Sequence, residues 1–334
     1  GSGIIDDSRG SSFPPLGANM HSARLLLDSI LDYAGLFPPA QLGMQPTVEN
    51  FSRYRKGPDS WMLGRLVVPV ARFPEFVAKA DLLLPKTADA EGDSPWPLSV
   101  LVASASDEQI VADLERIERF NERMEDRDFS RAHGRAMIDT IEAKATSPHE
   151  IDRALEYVPD EIFAYFEVPV DADPRGLIAT MASLDAGAKI RMGGVTVDSH
   201  PTPEQVARFL KVCRAAEVPF KATAGLHHPC RRMSTEIGCM QFGFLNVFVA
   251  GCLLWNYDAM TEREIEEILV EENARVFEFG PTGLTWKKRV LRFDQIATAR
   301  ERFAHSFGSC SFDEPLADMR ALGLLPAAEE EVAS

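Results

Sequence analysis

Three basic residues lie on two short apolar runs of the sequence and could act together chemically. Lys189 and Arg191 are two residues apart in the run GAKIRMGG, and Lys221 begins the run KATAGLHHP. Both runs have the length and apolar content of buried strands that end at glycine. Side chains alternate between the two faces of a strand. Lys189 and Arg191 therefore share one face of their strand, and Lys221 and Thr223 share one face of the next strand. We expect the three cations to converge on one site.

Two kinds of chemistry follow from such a cluster. Burying like charges together is costly unless an anionic ligand compensates them or a lysine loses its proton. A free lysine has a pKa of about 10.4, so a neutral amine at pH 7 requires the protein to supply about 4 kcal/mol. A second cation at about 6 Å, in an effective dielectric of about 20, contributes roughly 2.8 kcal/mol, and burial can supply the rest. We therefore expect Lys189 to be an amine nucleophile, with Lys221 and Arg191 lowering its pKa. The alternative is that a carboxylate paired to Lys189 raises this pKa and leaves an inert cation, and the sequence does not decide between the two.

The order of strand-like and helix-like segments predicts how these side chains are positioned. Strand-like runs lie at 32–37, 64–70, 98–103, 136–143, 163–168, 188–192, 219–224 and 276–279. Amphipathic helices fill the intervals, and two more helices, at 294–307 and 314–322, close the chain. Eight strands alternating with helices predict an α/β protein, a (β/α)8 barrel of the TIM type with extra C-terminal helices. An open sheet is disfavoured because the first strand runs into Phe-Pro-Pro rather than a glycine-rich turn.

The predicted barrel is a single domain at 20–325. We expect 1–19 to be a disordered leader outside the fold, and 326–334 to be a solvated acidic tail. The chain has 334 residues, of which 45% are hydrophobic and 26% charged, an ordinary globular composition with enough chain for one large core.

Composition also limits the partners. The net charge of -16 disfavours binding to a nucleic-acid backbone. The sequence has neither a run of 18 apolar residues nor a basic-then-apolar leader, so we expect no membrane partner and no secretory signal. Five scattered cysteines are typical of reduced thiols. We expect a cytoplasmic protein with a small-molecule substrate and no cofactor, and leave open whether it forms a homo-oligomer.

Polar residues at the carboxyl ends of the predicted strands are the candidates for an active site, because barrels of this type place their active sites there. The catalytic candidates are Lys189 and Lys221, with Glu167 first and Glu142 second as the carboxylate that moves protons. The candidates for substrate binding are Lys144, Arg191, Gly193, Gly194, Thr223, Gly225, His227, His228, Asn246 and Glu278. The alternative is that these charges pair with one another as a buried polar layer without chemistry.

The two lysine runs, AKIRMGG and FKATAG, are similar to the two lysine strands of deoxyribose-phosphate aldolase. In that family the first lysine forms the Schiff base and the second lowers its pKa. The resemblance implies these roles for Lys189 and Lys221. The family has Thr-Ser-Thr-Gly after its first lysine, whereas this chain has Ile-Arg-Met-Gly, which puts the substrate in question. The runs DYAGLFPP and GFLN, with the lysine runs, also resemble a family of bacterial proteins that has no assigned activity and so implies no function.

The lead interpretation is a class I aldolase-like lyase that acts on a small anionic carbonyl compound, phosphorylated or not. Two other interpretations stay open. His227 or His228, with Glu167 or Glu142, could hold a divalent metal in a hydrolase or lyase. Adjacent histidines on an extended segment point in opposite directions, so we expect at most one in the site. Alternatively, the glycines after the strands could bind a phosphate through backbone amides beside the three cations, in a barrel that catalyses nothing.

Overall fold

The structure is a computed structural model that describes residues 18–86, 94–106 and 108–327. Eight parallel strands lie at its centre: β1 (Leu31–Tyr33), β2 (Leu63–Pro69), β3 (Trp96–Leu101), β4 (Ala136–Lys144), β5 (Phe163–Glu167), β6 (Gly187–Arg191), β7 (Phe220–Thr223) and β13 (Ala304–Ser309). They close into a barrel in the order β1-β13-β7-β6-β5-β4-β3-β2. The predicted (β/α)8 barrel of the TIM type, with extra helices, is confirmed.

Helices surround the barrel: α1 (Ala18–Leu27), α2 (Met44–Lys56), α3 (Phe73–Ala80), α4 (Gln109–Glu125), α5 (Arg127–His133), α6 (Pro148–Leu155), α7 (Arg175–Ser183), α8 (Pro203–Ala215), α9 (Phe244–Asn256), α10 (Glu262–Leu269), α11 (Phe293–Arg302) and α12 (Asp313–Ala321). Capping boxes begin α6, α8 and α10, where Ser147, Thr202 and Thr261 each accept a hydrogen bond from the backbone three residues later. Within the described residues, no helix is long and apolar enough to cross a membrane.

The predicted boundaries at the two ends of the chain fall partly outside the described residues. Of the leader expected at 1–19, residues 1–17 are not described, and α1 begins at Ala18, two residues before the predicted start of the domain. Of the tail expected at 326–334, residues 328–334 are not described. The five cysteines all lie in the described part of the chain, and they form no disulfide there.

The eighth barrel strand is not the one that the sequence predicts. Residues 277–280 form β10 (Phe277–Gly280), which pairs antiparallel with β11 (Gly283–Trp286), and β11 pairs with β12 (Arg289–Arg292) in a small separate sheet. A second small sheet contains β8 (Arg232–Ser234) and β9 (Cys239–Gln241). The barrel is closed instead by β13, which lies partly within the helix predicted at 294–307. Its sequence, AHSFGS, hides the strand because its inward positions include serine and glycine rather than apolar residues.

Helix α9 is apolar all round because it is buried between the barrel and the neighbouring helices. Phe244 stacks on Phe307 of β13 with ring centroids 5.2 Å apart, and Phe248 packs against both Phe307 and Phe220. The helix is buried against the barrel. Phe307 is therefore a central contact between the last barrel strand and the helical layer.

Asn246 lies in the first turns of α9 and is completely buried. Its side-chain oxygen accepts a hydrogen bond from the Arg231 backbone at 2.9 Å, and its amide nitrogen donates to the carbonyls of Ile268 and Glu271 at 2.7 and 2.8 Å. Backbone groups thus satisfy the amide, and it joins α9 to the segment after α10. The prediction that Asn246 reaches the substrate is not supported by this position.

Replacing Phe307 tests the position of β13. Phe307 is 1% exposed, so we expect Phe307→Ala to lower the free energy of unfolding by about 3–5 kcal/mol through the cavity that it leaves. Val290 of β12 is 43% exposed and serves as the control, for which Val290→Ala should cost less than about 0.5 kcal/mol. Urea unfolding measures both. Equal costs for the two variants would contradict the assignment of β13 to the barrel.

Candidate active site

A chain of six charged side chains passes through the barrel interior towards the carboxyl ends of the strands. Each member contacts the next, and the sign of the charge alternates along the chain, in the order Asp32, Lys221, Glu142, Lys189, Glu167 and Arg191. Strand register explains this, because Lys189 pairs with Glu167 across β5 and β6, and with Lys221 across β6 and β7. We call these six residues the charge chain.

The upper part of the charge chain surrounds Lys189. Its Nζ lies 2.8 Å from Glu142 Oε2 and 3.0 Å from Glu167 Oε2, and its side chain is 5% exposed. Arg191 donates from Nε to Glu167 Oε1 at 3.0 Å, while 43% of its side chain remains exposed. Lys189 therefore has a carboxylate on each side, and Arg191 is the member of the charge chain that reaches solvent.

The lower part of the charge chain is fully enclosed. Lys221 Nζ donates to Asp32 Oδ2 at 2.5 Å and to Glu142 Oε1 at 2.6 Å. Ser99 adds a second hydrogen bond to Glu142 Oε1 at 2.6 Å, and Ser306 donates to Asp32 Oδ2 at 2.9 Å. Burial of a charge is tolerated when each charged atom has such partners. Lys221 thus holds two carboxylates in place below the site.

Sequence reasoning missed Asp32, the first member of the charge chain. Its Oδ1 accepts a hydrogen bond from the Arg65 backbone at 2.7 Å, and a Cβ atom at Gly64 would collide with this oxygen. The signal was present, since Asp32 is an acidic residue inside the first strand-like run and a glycine begins the second. Asp32 does not lie at the carboxyl end of its strand, so the position of active sites in barrels of this type does not predict it.

The expected surplus of positive charge is absent from the charge chain, which contains three cations and three carboxylates. The predicted lowering of the Lys189 pKa is accordingly wrong. Burial alone would lower this pKa, but the charges of Glu142 and Glu167 outweigh burial and hold it above its ordinary value. Each carboxylate at about 3 Å contributes about 5.5 kcal/mol in an effective dielectric of about 20, twice the roughly 2.8 kcal/mol of a cation at about 6 Å. Lys189 is an ammonium ion at neutral pH.

The same ion pairs act in the opposite direction on the carboxylates. Burial would raise the pKa of Glu142, but Lys189 and Lys221 hold that pKa well below its usual range. Burial likewise would raise the pKa of Glu167, and Lys189 with Arg191 lowers it instead. Both glutamates are ionised at neutral pH, so the resting site is a set of formed ion pairs.

A cavity of about 490 Å³ opens above Lys189 at the carboxyl ends of the strands. Phe37 and Pro38, after β1, form part of its wall, and Glu142, Lys144, Lys189 and Arg191 also line it. Lys144 is exposed, and it forms no ion pair with any residue in the described part of the chain. We call this space the mouth cavity. A ligand in it would meet Lys189, whereas Lys221 and Asp32 lie beneath its floor.

The predicted binding residues on the turns after β6 and β7 divide into two groups. Thr223 and Gly194 line the mouth cavity. Gly193 and Gly225 instead pack against each other, and a Cβ atom on Gly225 would lie 2.9 Å from Gly193 Cα. Gly225 also has a φ of +71°, which favours glycine. Their spacing is thus explained by close packing of the two turns, and a phosphate-binding role for them stays a prediction.

The two adjacent histidines both line a pocket beside the mouth cavity, and both lie against carboxylates of α12. His227 lines the mouth cavity, and its Nδ1 lies 3.2 Å from Glu314 Oε2. His228 Nδ1 lies 2.7 Å from Asp318 Oδ2, and its ring does not line the mouth cavity. Burial lowers the pKa of His227. Within the described residues, no group of three or more histidine, cysteine, aspartate or glutamate side chains is arranged to hold a metal ion.

The prediction of Glu278 at the mouth depends on 276–279 being the eighth barrel strand. Glu278 lies instead on β10, where it is exposed and pairs with Thr285 of β11. It does not line the mouth cavity. The prediction of Glu278 as a binding residue fails for the same reason as the strand prediction.

Comparison with protein-family models gives no match, and comparison with curated protein sequences gives none either. The class of the protein is therefore defined by its own structure. It is a (β/α)8 barrel whose mouth cavity has, at its floor, a buried lysine between two carboxylates. The resemblance of the lysine strands to deoxyribose-phosphate aldolase stays a prediction.

Removing Lys221 should be costly because Asp32 and Glu142 would both lose their buried cation. We expect Lys221→Met to lower the free energy of unfolding by about 3–5 kcal/mol. Adding Asp32→Asn should recover part of this loss, since one unpaired charge is then removed. Lys287→Met is the matched control: Lys287 is 53% exposed and pairs with Glu267, so its loss should cost less than about 1 kcal/mol. Chemical denaturation measures the wild type, these variants and Asp32→Asn alone, and additive effects of the two substitutions would contradict the pairing.

The dependence of stability on pH should show the ionised state of Glu167. Its pKa is lower in the folded than in the unfolded chain, so its contribution is present above about pH 4.3 and is lost as the pH falls towards the folded pKa. The difference in unfolding free energy between the wild type and Glu167→Gln should therefore be greatest near neutral pH and shrink below about pH 4. Denaturation curves between pH 3 and 7 measure it. A difference independent of pH would show that Glu167 is not stabilised as an anion.

Proposed function

We propose that this protein is a lyase of the class I aldolase type that acts on a small anionic carbonyl compound through an imine on Lys189. The observation that carries the proposal is the position of Lys189 Nζ at the floor of the mouth cavity, 2.8 and 3.0 Å from two carboxylates. An imine-forming lysine needs an accessible cavity and a group that accepts and returns its proton. Both are present around Lys189, whereas Lys221 has carboxylates beside it but does not line the mouth cavity.

Glu167 is the proton acceptor in this proposal. Its side chain is 10% exposed, whereas that of Glu142 is 2% exposed and already accepts hydrogen bonds from Lys221 and Ser99. Lys189 first transfers a proton to Glu167, and its neutral nitrogen then attacks the substrate carbonyl carbon. Glu167 returns the proton to the carbonyl oxygen to give the carbinolamine. It then carries a second proton from the nitrogen to the hydroxyl group, which leaves as water as the iminium ion forms. Glu142 stays ionised and stabilises that cation.

The charges at the rim support an anionic substrate. The charge chain is neutral, so the exposed ammonium group of Lys144 adds a positive charge to the wall of the mouth cavity. Arg191 is partly exposed beside it and can turn a free face of its guanidinium group towards a carboxylate or phosphate. A volume of about 490 Å³ is in the range of small-molecule sites.

The raised pKa of Lys189 supports a second candidate that requires no covalent bond. In it, Lys189 remains an ammonium ion and polarises the carbonyl oxygen of the substrate, while Glu167 removes a proton from the adjacent carbon. The protein would then be an enolising isomerase or lyase. A third possibility, that Lys144 and Arg191 bind an anion and nothing reacts, predicts binding without either an adduct or proton exchange.

Trapping with borohydride tests the imine. After incubation with a panel of small aldehydes and keto acids, reduction should leave a covalent mass increase on Lys189, and Lys189→Met should abolish it. Lys287→Met is the matched control and should retain the adduct, because Lys287 is exposed and does not line the mouth cavity. Peptide mass mapping locates the modification. An adduct only on exposed lysines would contradict the imine, and proton exchange into the carbonyl compound in D2O without an adduct would favour the enolising enzyme.

The pH dependence of trapping gives a further check on the same mechanism. Because Glu142 and Glu167 raise the pKa of Lys189, the rate of trapping should increase with pH well above neutrality. Glu167→Gln removes one of these carboxylates, so the increase should begin at a lower pH than in the wild type, although each turnover loses its proton acceptor. If the pH dependence of trapping is the same in Glu167→Gln as in the wild type, the Lys189–Glu167 ion pair does not control the protonation of Lys189.

A further inference from the structure

A second cavity, of about 930 Å³, lies at the opposite end of the barrel from the mouth cavity. Its wall includes residues near the amino ends of β2, β5 and β13, together with residues of α1 and α11. It shares no lining residue with the mouth cavity. We call it the lower cavity. Residues at this end of a (β/α)8 barrel usually contribute to stability rather than to chemistry, so a cavity of this size requires its own explanation.

Arg300 provides the main charge of the lower cavity. Its guanidinium group donates to three backbone carbonyls, those of Asp28 at 2.9 Å and of Ala304 and His305. Its Nε atom is buried without a hydrogen-bond partner, and no carboxylate of the described residues forms an ion pair with it. Burial lowers the pKa of Arg300 to about 10. An anion beside Arg300 would supply the missing counter-charge.

The other charged groups of the lower cavity do not neutralise Arg300. Arg65 forms its own ion pair with Asp139, with Nη2 at 2.9 Å from Oδ2. The side chains of Asp28 and Glu301 are exposed at the rim, where water screens them. The interior of the cavity is therefore positive because of Arg300, while its acidic residues remain in solvent.

Rings and aliphatic groups form much of the remaining wall. Phe163, Tyr165 and Leu25 line it, and the Tyr165 hydroxyl lies 2.5 Å from His305 Nδ1. His305 Nε2 lies 2.9 Å from the Glu301 carbonyl, which can only accept, so Nδ1 is the nitrogen that accepts from Tyr165. Burial lowers the pKa of His305 to about 4, so this ring is neutral at pH 7. The wall thus offers uncharged aromatic surface beside the half-buried cation Arg300.

We propose that the lower cavity binds an organic anion, in which a carboxylate, sulfonate or phosphate pairs with Arg300 and an apolar or aromatic body packs against Phe163 and Leu25. A volume of about 930 Å³ is large enough for a ligand that has both an anionic group and an aromatic body. The site is separate from the proposed imine chemistry, because it shares no lining residue with the mouth cavity. It stands or falls independently of the function assigned to the mouth cavity.

Two fluorescent dyes that differ by one charge test the proposal. 1-Anilinonaphthalene-8-sulfonate has an aromatic body and a sulfonate, whereas N-phenyl-1-naphthylamine has the same body without the charge. Titration of the full chain should show saturable binding of the sulfonate dye at one site, at least about tenfold tighter than binding of the neutral dye. In Arg300→Gln the two dyes should bind with similar affinity, because the charge contribution is lost.

A second variant keeps the test valid if Arg300→Gln does not fold. Ala297 is on α11, is exposed, and lines the lower cavity, so Ala297→Trp should fill the space without disturbing the core. It should weaken binding of both dyes at least about tenfold, while Lys189→Met at the mouth should leave both affinities unchanged. Lack of saturable binding by the folded chain would overturn the proposal. So would unchanged affinity in Ala297→Trp, or binding that is lost in Lys189→Met instead.

Discussion

Pairing of opposite charges inside the barrel is the constraint on which the rest of the structure depends. A single unpaired charge in this interior would cost several kcal/mol, so the register of five strands has to bring each cation beside a carboxylate. Small residues make this possible: glycine at Gly64 leaves room for Asp32, and the serines Ser99 and Ser306 supply hydrogen bonds where larger side chains would not fit. An apolar interior would close a barrel at lower cost. A polar interior is what a fold requires when its mouth must hold ionised groups in fixed positions.

Lys189 and Lys221 differ in how deeply they lie in the barrel rather than in the kind of group that they contact. Lys221 is 1% exposed, and its ammonium group is enclosed by Asp32 and Glu142, so it can only hold those carboxylates in position. Lys189 lies one strand further round the barrel and meets a cavity. The polar interior also continues in the other direction, because Ser306 contacts Asp32 and lines the lower cavity. The same network therefore lies between the two cavities, and each end of the barrel exposes a different part of it.

The sequence predicts the architecture and most of the mouth, but not the signs of the electrostatic effects. Alternating strands and helices predict seven of the eight barrel strands, and the two-residue period correctly places Lys189 and Arg191 on one face. β13 escapes because its inward residues are serine and glycine, which lack an apolar pattern. The direction of the Lys189 pKa depends on carboxylates at 2.8 and 3.0 Å. Those distances arise from the register between strands that are distant in sequence, and residue spacing alone cannot predict them.

The raised pKa of Lys189 and the proposed imine can be reconciled through Arg191. In the resting site the Lys189–Glu167 ion pair keeps the two pKa values apart, which opposes transfer of the proton from the amine to the carboxylate. Arg191 increases that separation, because its hydrogen bond stabilises ionised Glu167. In the proposed mechanism an anionic substrate that engages Arg191 at the rim would weaken this bond and raise the pKa of Glu167. Glu167 would then accept the Lys189 proton more readily when substrate is present. The ion pairs that stabilise the empty barrel would therefore allow Lys189 to become a neutral amine chiefly when a substrate carbonyl is within reach.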